Sequence, residues 1–98
     1  MAKPIYKLWT ARRTEAWYAL SEEEQQEIQA KVTESSDRVG CKIVIICDSA
    51  WSSEQALSYG VEEFPSAEAV QEHTQDLIDL DWFRYVESTS ILGTKIRP

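Results

Sequence analysis

The side chain in this sequence best suited to proton transfer is that of its one histidine, His73. An imidazole titrates near neutral pH, so it can take a proton from a bound molecule or return one. The spacing of the surrounding apolar residues is helical and places His73 on one stripe with Ala69, Leu77 and Leu80, which predicts that it faces inward. Two interpretations fit this position: an acid–base group in a pocket, or a structural histidine hydrogen-bonded to the backbone or to Tyr59.

Aromatic side chains are the second chemically informative feature, because the 98 residues include four Trp, four Tyr and two Phe. Many would pack in a core, yet rings gathered at one end of a small sheet would also line a flat apolar cavity. In that case the tyrosines would orient a carbonyl or phenol of the ligand, and the tryptophans would form the walls. The residues predicted to contact a substrate are Tyr6, Trp9, Trp17, Tyr18, Trp51 and Tyr59.

The charge balance argues against polyanionic partners, since 17 acidic residues against 10 basic ones give a formal net charge of -7. Phosphate binding requires clustered basic side chains. The nearest approach to a cluster is the pair Arg12-Arg13, so neither nucleic acid nor a membrane is expected as a partner. The acidic runs lack the ligand spacing and glycine of a calcium loop, and we expect solvated faces at Glu22-Glu23-Glu24 and at Asp76, Asp79 and Asp81.

The cysteines and glycines give no sign of a disulfide, a metal site or a nucleotide site. Cys41 and Cys47 fall in one predicted strand, about 20 Å apart, whereas a disulfide requires Cα atoms about 4.4–6.8 Å apart. Two cysteines and one histidine at these spacings match no zinc motif. Three isolated glycines form no phosphate-binding loop. We therefore predict no metal and no cofactor.

Length and hydropathy predict one small domain over residues 1–98. No apolar run approaches the roughly 20 residues that span a bilayer. The N-terminal stretch MAKPIYKLW lacks the apolar core of a signal peptide. The expected location is the cytoplasm.

The elements that would position these side chains alternate along the chain. Ser21 and Glu24 form a capping box that predicts a helix from Glu22 to about residue 36. Ser66, after Pro65, caps a second helix from residue 67 to about residue 80. A short helical turn is predicted at 82–85, and strands are predicted at 5–10, 41–47, 57–64 and 86–92.

This order repeats a strand-helix-strand unit and predicts an α+β fold of the ferredoxin-like, split βαβ type. Its four-stranded antiparallel sheet would carry both helices on one face. The helix-free face, with Val44, Ile46 and Phe64, would be apolar and exposed, which predicts a homodimer whose two sheets stack into a β-barrel. The same face is expected to carry charged side chains, either in ion pairs across the dimer or at strand ends in water: Lys7, Lys42 and Glu62.

The run YGVEEFPSAEAVQEH, residues 59–73, resembles the third strand and second helix of the dimeric α/β-barrel proteins. That superfamily includes antibiotic-biosynthesis monooxygenases, haem-degrading monooxygenases, EthD-like proteins and stress-responsive barrel proteins, among them a polyketide cyclase. With IYKLW, AWYALS and WFRY, the resemblance extends over nearly the whole chain and is closest to small uncharacterised bacterial members. It implies a pocket between the helices and the sheet of each protomer. In haem-degrading members a histidine of the second helix lies near the position of His73.

The resemblance does not extend to haem degradation. Those enzymes need an Asn on the first strand and a Trp before the second helix, but this chain has no Asn and carries Glu62-Glu63-Phe64 in that segment. Two functions remain as hypotheses. One is a small cofactor-free monooxygenase, cyclase or isomerase that acts on an apolar aromatic or polyketide-like metabolite, with His73 as its acid or base. The other is a non-catalytic homodimer that binds a small ligand or a partner.

Overall fold

The strands form one open antiparallel sheet. The computed structural model describes residues 3–53 and 55–96, so residues 1, 2, 54, 97 and 98 of the predicted domain lie outside it. The strands are β1 (Ile5–Arg13), β2 (Lys42–Asp48), β3 (Ser58–Phe64) and β4 (Val86–Gly93). Their order across the sheet is β2-β3-β1-β4, with every neighbouring pair antiparallel. The edge strands β2 and β4 do not pair with each other, so the chain by itself forms no closed barrel.

Four helices connect the strands, and the two long ones begin at the predicted caps. They are α1 (Glu15–Tyr18), α2 (Glu22–Arg38), α3 (Ala67–Asp79) and α4 (Trp82–Tyr85). At α2 the Ser21 hydroxyl accepts from the Glu24 amide at 3.1 Å, and the Glu24 carboxylate accepts from the Ser21 amide at 3.0 Å. At α3 the Ser66 hydroxyl accepts from the Ala69 amide at 3.2 Å. These bonds satisfy amide groups that a helix leaves free at its first turn.

The prediction that Phe64 lies on the helix-free face is wrong. Phe64 is fully buried under the helices, where it packs with Val39, Ala69 and Val70. Side chains two apart on a strand share a face, so Glu62 also faces the helices. Lys7 pairs directly with Glu62 and shares this face, whereas Lys42 pairs with Glu63 on the other one. The predicted grouping of Lys7, Lys42 and Glu62 is therefore wrong.

A β-bulge in β2 changes the predicted orientation of a third residue. The register between β2 and β3 shifts between Ile43 and Ile45, which leaves Val44 as the extra residue. Beyond the shift Ile45 pairs with Val61 on the helix-free face, and Ile46 pairs with Gly60 on the helix-bearing face. The prediction that Ile46 lies on the helix-free face is therefore also wrong.

A cluster of aromatic rings packs α1 against α4 near the C-terminal end of β1. Trp17 of α1 meets Trp82 and Tyr85 of α4 edge-on, with ring centroids 6.1 and 6.3 Å away. The Thr14 amide donates to the Tyr85 carbonyl at 3.0 Å, and the Thr14 hydroxyl donates to the Arg84 carbonyl at 2.8 Å. These contacts fix the end of β1 against α4. Within the described residues, no helix is long and apolar enough to cross a membrane.

Candidate functional site

The helix-bearing face of the sheet and the helices line a partly open cavity of about 440 Å³. This volume falls in the range of pockets that bind small molecules, about 300–1,000 Å³. The sheet side of the lining includes Lys7, Trp9, Arg13 and Glu62, and the helix side includes His73, Leu77 and Trp82.

His73 lies on the inner stripe of α3, as the sequence predicts. Ala69, Val70, His73 and Leu77 are the buried residues of this helix, and His73 itself is only 3% exposed. Its ring rests against Phe64 with the centroids 5.7 Å apart. The amphipathic pattern of α3 therefore places a titratable group at the boundary between the core and the cavity.

A hydroxyl and a carboxylate hold the imidazole. Ser35 of α2 donates its only hydroxyl proton to Asp76 Oδ2 at 2.6 Å, because a carboxylate can only accept. The same Ser35 oxygen lies 2.8 Å from His73 Nδ1 and must then accept from an Nδ1–H group. This arrangement selects the neutral tautomer protonated on Nδ1. Ser35 occupies Nδ1, so the lone pair of the ring lies on Nε2, and His73 is one of the residues that line the cavity.

Burial keeps this imidazole neutral near pH 7. Desolvation is the leading cause that lowers the pKa of His73 below its ordinary 6.5. The carboxylates of Glu62 and Asp76 oppose the effect, and the cations of Lys7 and Arg38 add to it. A neutral imidazole with an accessible lone pair is the form that acts as a base.

Asp76 is not the solvated acid that the sequence predicts. Its side chain is 29% exposed, and it pairs with Arg38 of α2 as well as accepting from Ser35. Arg38 also reaches Glu72 at 2.8 Å. The Ser35 hydrogen bond leads the causes that lower the pKa of Asp76, so the carboxylate is ionised at neutral pH. The network joins α2 to α3 beside the cavity.

The cavity wall near His73 also carries a thiol that is not a nucleophile at neutral pH. The Cys41 thiol donates to Glu62 Oε2 at 3.4 Å. Burial, the largest cause, raises the pKa of Cys41 to about 11. Only a thiolate is strongly nucleophilic, so Cys41 contributes a neutral thiol to the wall. Both Cys41 and Cys47 are free, in accord with the strand spacing.

Two of the residues that line the cavity carry buried hydrogen-bond donors. Trp9 Nε1 and Arg13 Nη1 are inaccessible to solvent and have no hydrogen-bond partner among residues 3–53 and 55–96. The Arg13 guanidinium stacks on Trp17 at 4.2 Å from the ring centroid, with Trp82 at 5.6 Å. Buried donors without acceptors are uncommon in folded proteins.

Of the six predicted substrate contacts, the structure brings only Trp9 to the same cavity as His73. Trp17 is buried behind the wall, where Arg13 stacks on it. Tyr18 and Trp51 are 64% and 84% exposed. Tyr6 and Tyr59 lie on the helix-free face, because they alternate with the inward-facing residues of β1 and β3.

Sequence reasoning missed Ser35, Asp76 and Arg13. A signal existed for Asp76, since it follows His73 by three residues and helical neighbours at this spacing lie side by side. A signal also existed for Arg13, because strand alternation through Trp9 turns it inward if β1 continues to residue 13. Ser35 gave none, because its partners lie 38 and 41 residues away in the chain.

Comparisons with known proteins identify the fold. No protein-family model matches the chain, and neither does any curated protein. The RPA0582 protein of Rhodopseudomonas palustris, of unknown function, is 18% identical with a TM-score of 0.69, over 100% of this chain and 86% of that one. The methylated RPA0582 protein is 19% identical with a TM-score of 0.70, over 100% of this chain and 84% of that one. A hypothetical Arabidopsis thaliana protein is 13% identical with a TM-score of 0.61, over 98% of this chain and 91% of that one. The likeness at these identities is one of fold alone: a compact α+β protein with a four-stranded antiparallel sheet.

Proposed function

We propose that this protein is a small enzyme that moves protons on an apolar aromatic or polyketide-like carbonyl compound, with His73 as its general base. The observation that carries the proposal is the chain of hydrogen bonds from Asp76 through Ser35 to His73 Nδ1. These bonds leave a neutral imidazole with its lone pair on Nε2, in a residue that lines a cavity of about 440 Å³, and in this proposal Nε2 faces that cavity. An oriented base within reach of a bound carbon acid is the minimal device for enolisation.

The chemistry begins with one proton transfer. Nε2 takes a proton from the carbon beside the carbonyl, the C–H electron pair moves into the carbonyl to form an enolate, and the ring becomes an imidazolium. The negative charges of Glu62 and of Asp76, which is linked to the ring through Ser35, stabilise the imidazolium. Return of the proton to another carbon completes an isomerisation. Attack of the enolate carbon on a second carbonyl, with the proton delivered to the new alkoxide, completes a cyclisation.

Apolar walls support the choice of substrate. Trp9, Leu77 and Trp82 line the cavity together with His73 and Arg13. Aromatic and aliphatic walls bind flat apolar molecules chiefly by removing their surface from water. A carbonyl compound with an aromatic ring fits both this lining and the base.

The fold supports the finer assignment to ferredoxin-like, dimeric α/β-barrel proteins. The order β2-β3-β1-β4 interleaves the two strand-helix-strand units, as a split βαβ plan requires. The helix-free face carries Leu8, Ile45 and Ile91, which are 44%, 51% and 68% exposed. We propose that a second copy of the chain covers this face, because apolar patches on a sheet commonly mark an interface.

One observation favours the non-catalytic alternative. The residues that orient His73 also tie α2 to α3, through Ser35, Asp76 and Arg38. A histidine held in this way also serves as a structural link between helices. In that case the cavity would bind a ligand without transforming it.

Solvent deuterium exchange separates the two functions. β-Tetralone, an apolar aromatic ketone, exchanges its α-hydrogens through an enolate, and NMR in deuterated buffer measures the rate. We expect the wild-type protein to accelerate exchange, His73→Gln to abolish the acceleration, and the exposed outer-face variant Gln71→Ala to retain it. Equal rates with the wild-type and His73→Gln proteins would overturn the catalytic proposal, and β-tetralone binding without exchange would favour the alternative.

A further inference from the structure

We propose that Arg13 forms an anion subsite, so that the natural ligand of the cavity carries a carboxylate at this end. The inference rests on the proposed function only in requiring that the cavity binds a small molecule. It does not depend on the reactivity of His73.

The Arg13 guanidinium has the properties of an unfilled recognition site. Its side chain lines the cavity, and its Nη1 is buried without an acceptor in the described part of the chain. A guanidinium retains its positive charge in proteins, even though burial lowers the pKa of Arg13. Leaving a charged donor buried and unpaired is unfavourable, and an ionised acceptor from a ligand would remove the penalty.

Neighbouring rings hold the guanidinium in place. Arg13 stacks on Trp17 at 4.2 Å and lies 5.6 Å from the Trp82 ring centroid. Trp17 is itself only 8% exposed and packs edge-on against Trp82. The N–H groups of a stacked guanidinium lie in its own plane, and a carboxylate that enters the cavity would accept from them there.

A second unfilled donor lies along the same strand. Trp9 Nε1 is buried and lacks an acceptor among the described residues, and the indole lines the same cavity. Trp9 and Arg13 share one face of β1 with their Cα atoms about 13 Å apart. The spacing suits an elongated ligand with its carboxylate at Arg13 and a second acceptor, such as a carbonyl oxygen, toward Trp9.

The charges around the cavity favour a monoanion. One guanidinium matches one carboxylate, and the whole chain carries a formal net charge of -7. Asp37 and Glu62 also line the cavity. A phosphate carries close to two negative charges. The acidic side chains would repel it, and the one stacked guanidinium of the subsite would neutralise only part of its charge.

A matched pair of probes tests the subsite. β-Naphthoate and β-naphthamide have nearly the same shape and differ in charge, and calorimetry near neutral pH gives the affinity of each. We expect the carboxylate to bind the wild-type protein at least about tenfold more tightly, the scale of a hydrogen bond to a charged group. Arg13→Met should remove this preference, and Arg13→Lys should retain part of it. Arg84→Met serves as the control, because the Arg84 side chain is 66% exposed.

Each outcome decides the proposal. The proposal is supported if either probe shifts the NMR resonance of the Trp9 indole N–H and β-naphthoate binds more tightly than β-naphthamide. Equal affinities in the wild-type protein would overturn the subsite even if Arg13→Met failed to fold. Failure of both probes to bind would overturn it together with the ligand-binding cavity. The two proposals can also fail separately. If His73→Gln still prefers the carboxylate while the wild-type protein does not accelerate β-tetralone exchange, the anion subsite is supported and the catalytic proposal is overturned.

Discussion

The Ser35 hydroxyl lies 2.8 Å from His73 Nδ1 and joins α2 to α3 at the edge of the cavity. The hydroxyl donates its proton to Asp76, so it accepts from the Nδ1–H group of His73. Removing the hydroxyl therefore leaves this buried N–H group without an acceptor. Ser35→Ala should lower the free energy of unfolding by about 1–3 kcal/mol, the penalty for an unpaired buried polar group. Urea denaturation measures the change.

Thr33→Ala is the matched control, because Thr33 is an exposed residue of the same helix whose hydroxyl donates to the Gln29 carbonyl. Its effect should stay within about 0.5 kcal/mol. Equal stability of the Ser35→Ala and Thr33→Ala proteins would contradict the proposed network.

The lowered pKa of His73 predicts a pH dependence of stability. Between the pKa in the folded protein and the ordinary 6.5, the unfolded chain binds a proton that the folded chain does not. The free energy of unfolding should therefore fall as pH decreases from about 7.5 through 6.5 toward the folded pKa. Glu62 and Asp76 reduce the effect, and Lys7 and Arg38 increase it.

His73→Gln should flatten this part of the profile, as measured by urea denaturation at several pH values. The lowered pKa of Asp76 acts in a separate window, because its contribution is present above its ordinary 3.8 and is lost as pH falls through its folded pKa. An unchanged slope near pH 6 in His73→Gln would show that another group titrates there.

Gly60 makes room for the Trp9 indole. A Cβ at this position would lie 2.7 Å from Trp9 Cζ2 and 2.8 Å from the Ile45 carbonyl oxygen. Gly60→Ala should therefore displace the indole, weaken β-naphthoate binding and destabilise the fold by about 1–3 kcal/mol, as overpacking does. Gly93→Ala is the control, since apart from its chain neighbours no atom of the described residues lies within 4 Å of a Cβ there. Calorimetry and denaturation of both variants should separate them, and equal behaviour would refute the packing role of Gly60.

The proposed dimer predicts a mass near twice the 11.3 kDa of one chain in sedimentation experiments at micromolar concentration. Leu8→Lys should produce monomers, because it would bury a charge in each half of the interface. Ile78→Lys should leave the dimer intact, since Ile78 is similarly exposed but lies on α3, away from the helix-free face. A wild-type species of 11.3 kDa would contradict the dimer.

The elements were predictable because each has a local cause. Ser21 and Ser66 mark the starts of α2 and α3, and the apolar period of α3 turns Ala69, His73 and Leu77 inward. Tertiary structure decided the rest. Both faces of β2 are apolar, so its sequence contains no mark of the bulge at Val44. Glu62 and Phe64 share one face although only Phe64 is fully buried, because Glu62 opens onto the cavity.

The candidate site was predictable only in part. Helical spacing predicted the inward position of His73, and the aromatic content predicted a pocket, of which Trp9 lines the observed cavity. Tyr6 and Tyr59 were expected at the pocket but alternate onto the other side of the sheet. The groups that orient the imidazole depend on the approach of α2 to α3.

NMR of the His73 ring nitrogens tests the central claim most directly, and the signals are unambiguous because the chain has one histidine. We predict a neutral ring at pH 7 with its proton on Nδ1, a pKa below 6.5, and an Nε2 resonance that moves when β-tetralone binds. A ring protonated on Nε2, with resonances that do not respond to saturating β-tetralone, would contradict the assignment of His73 as the base of this cavity.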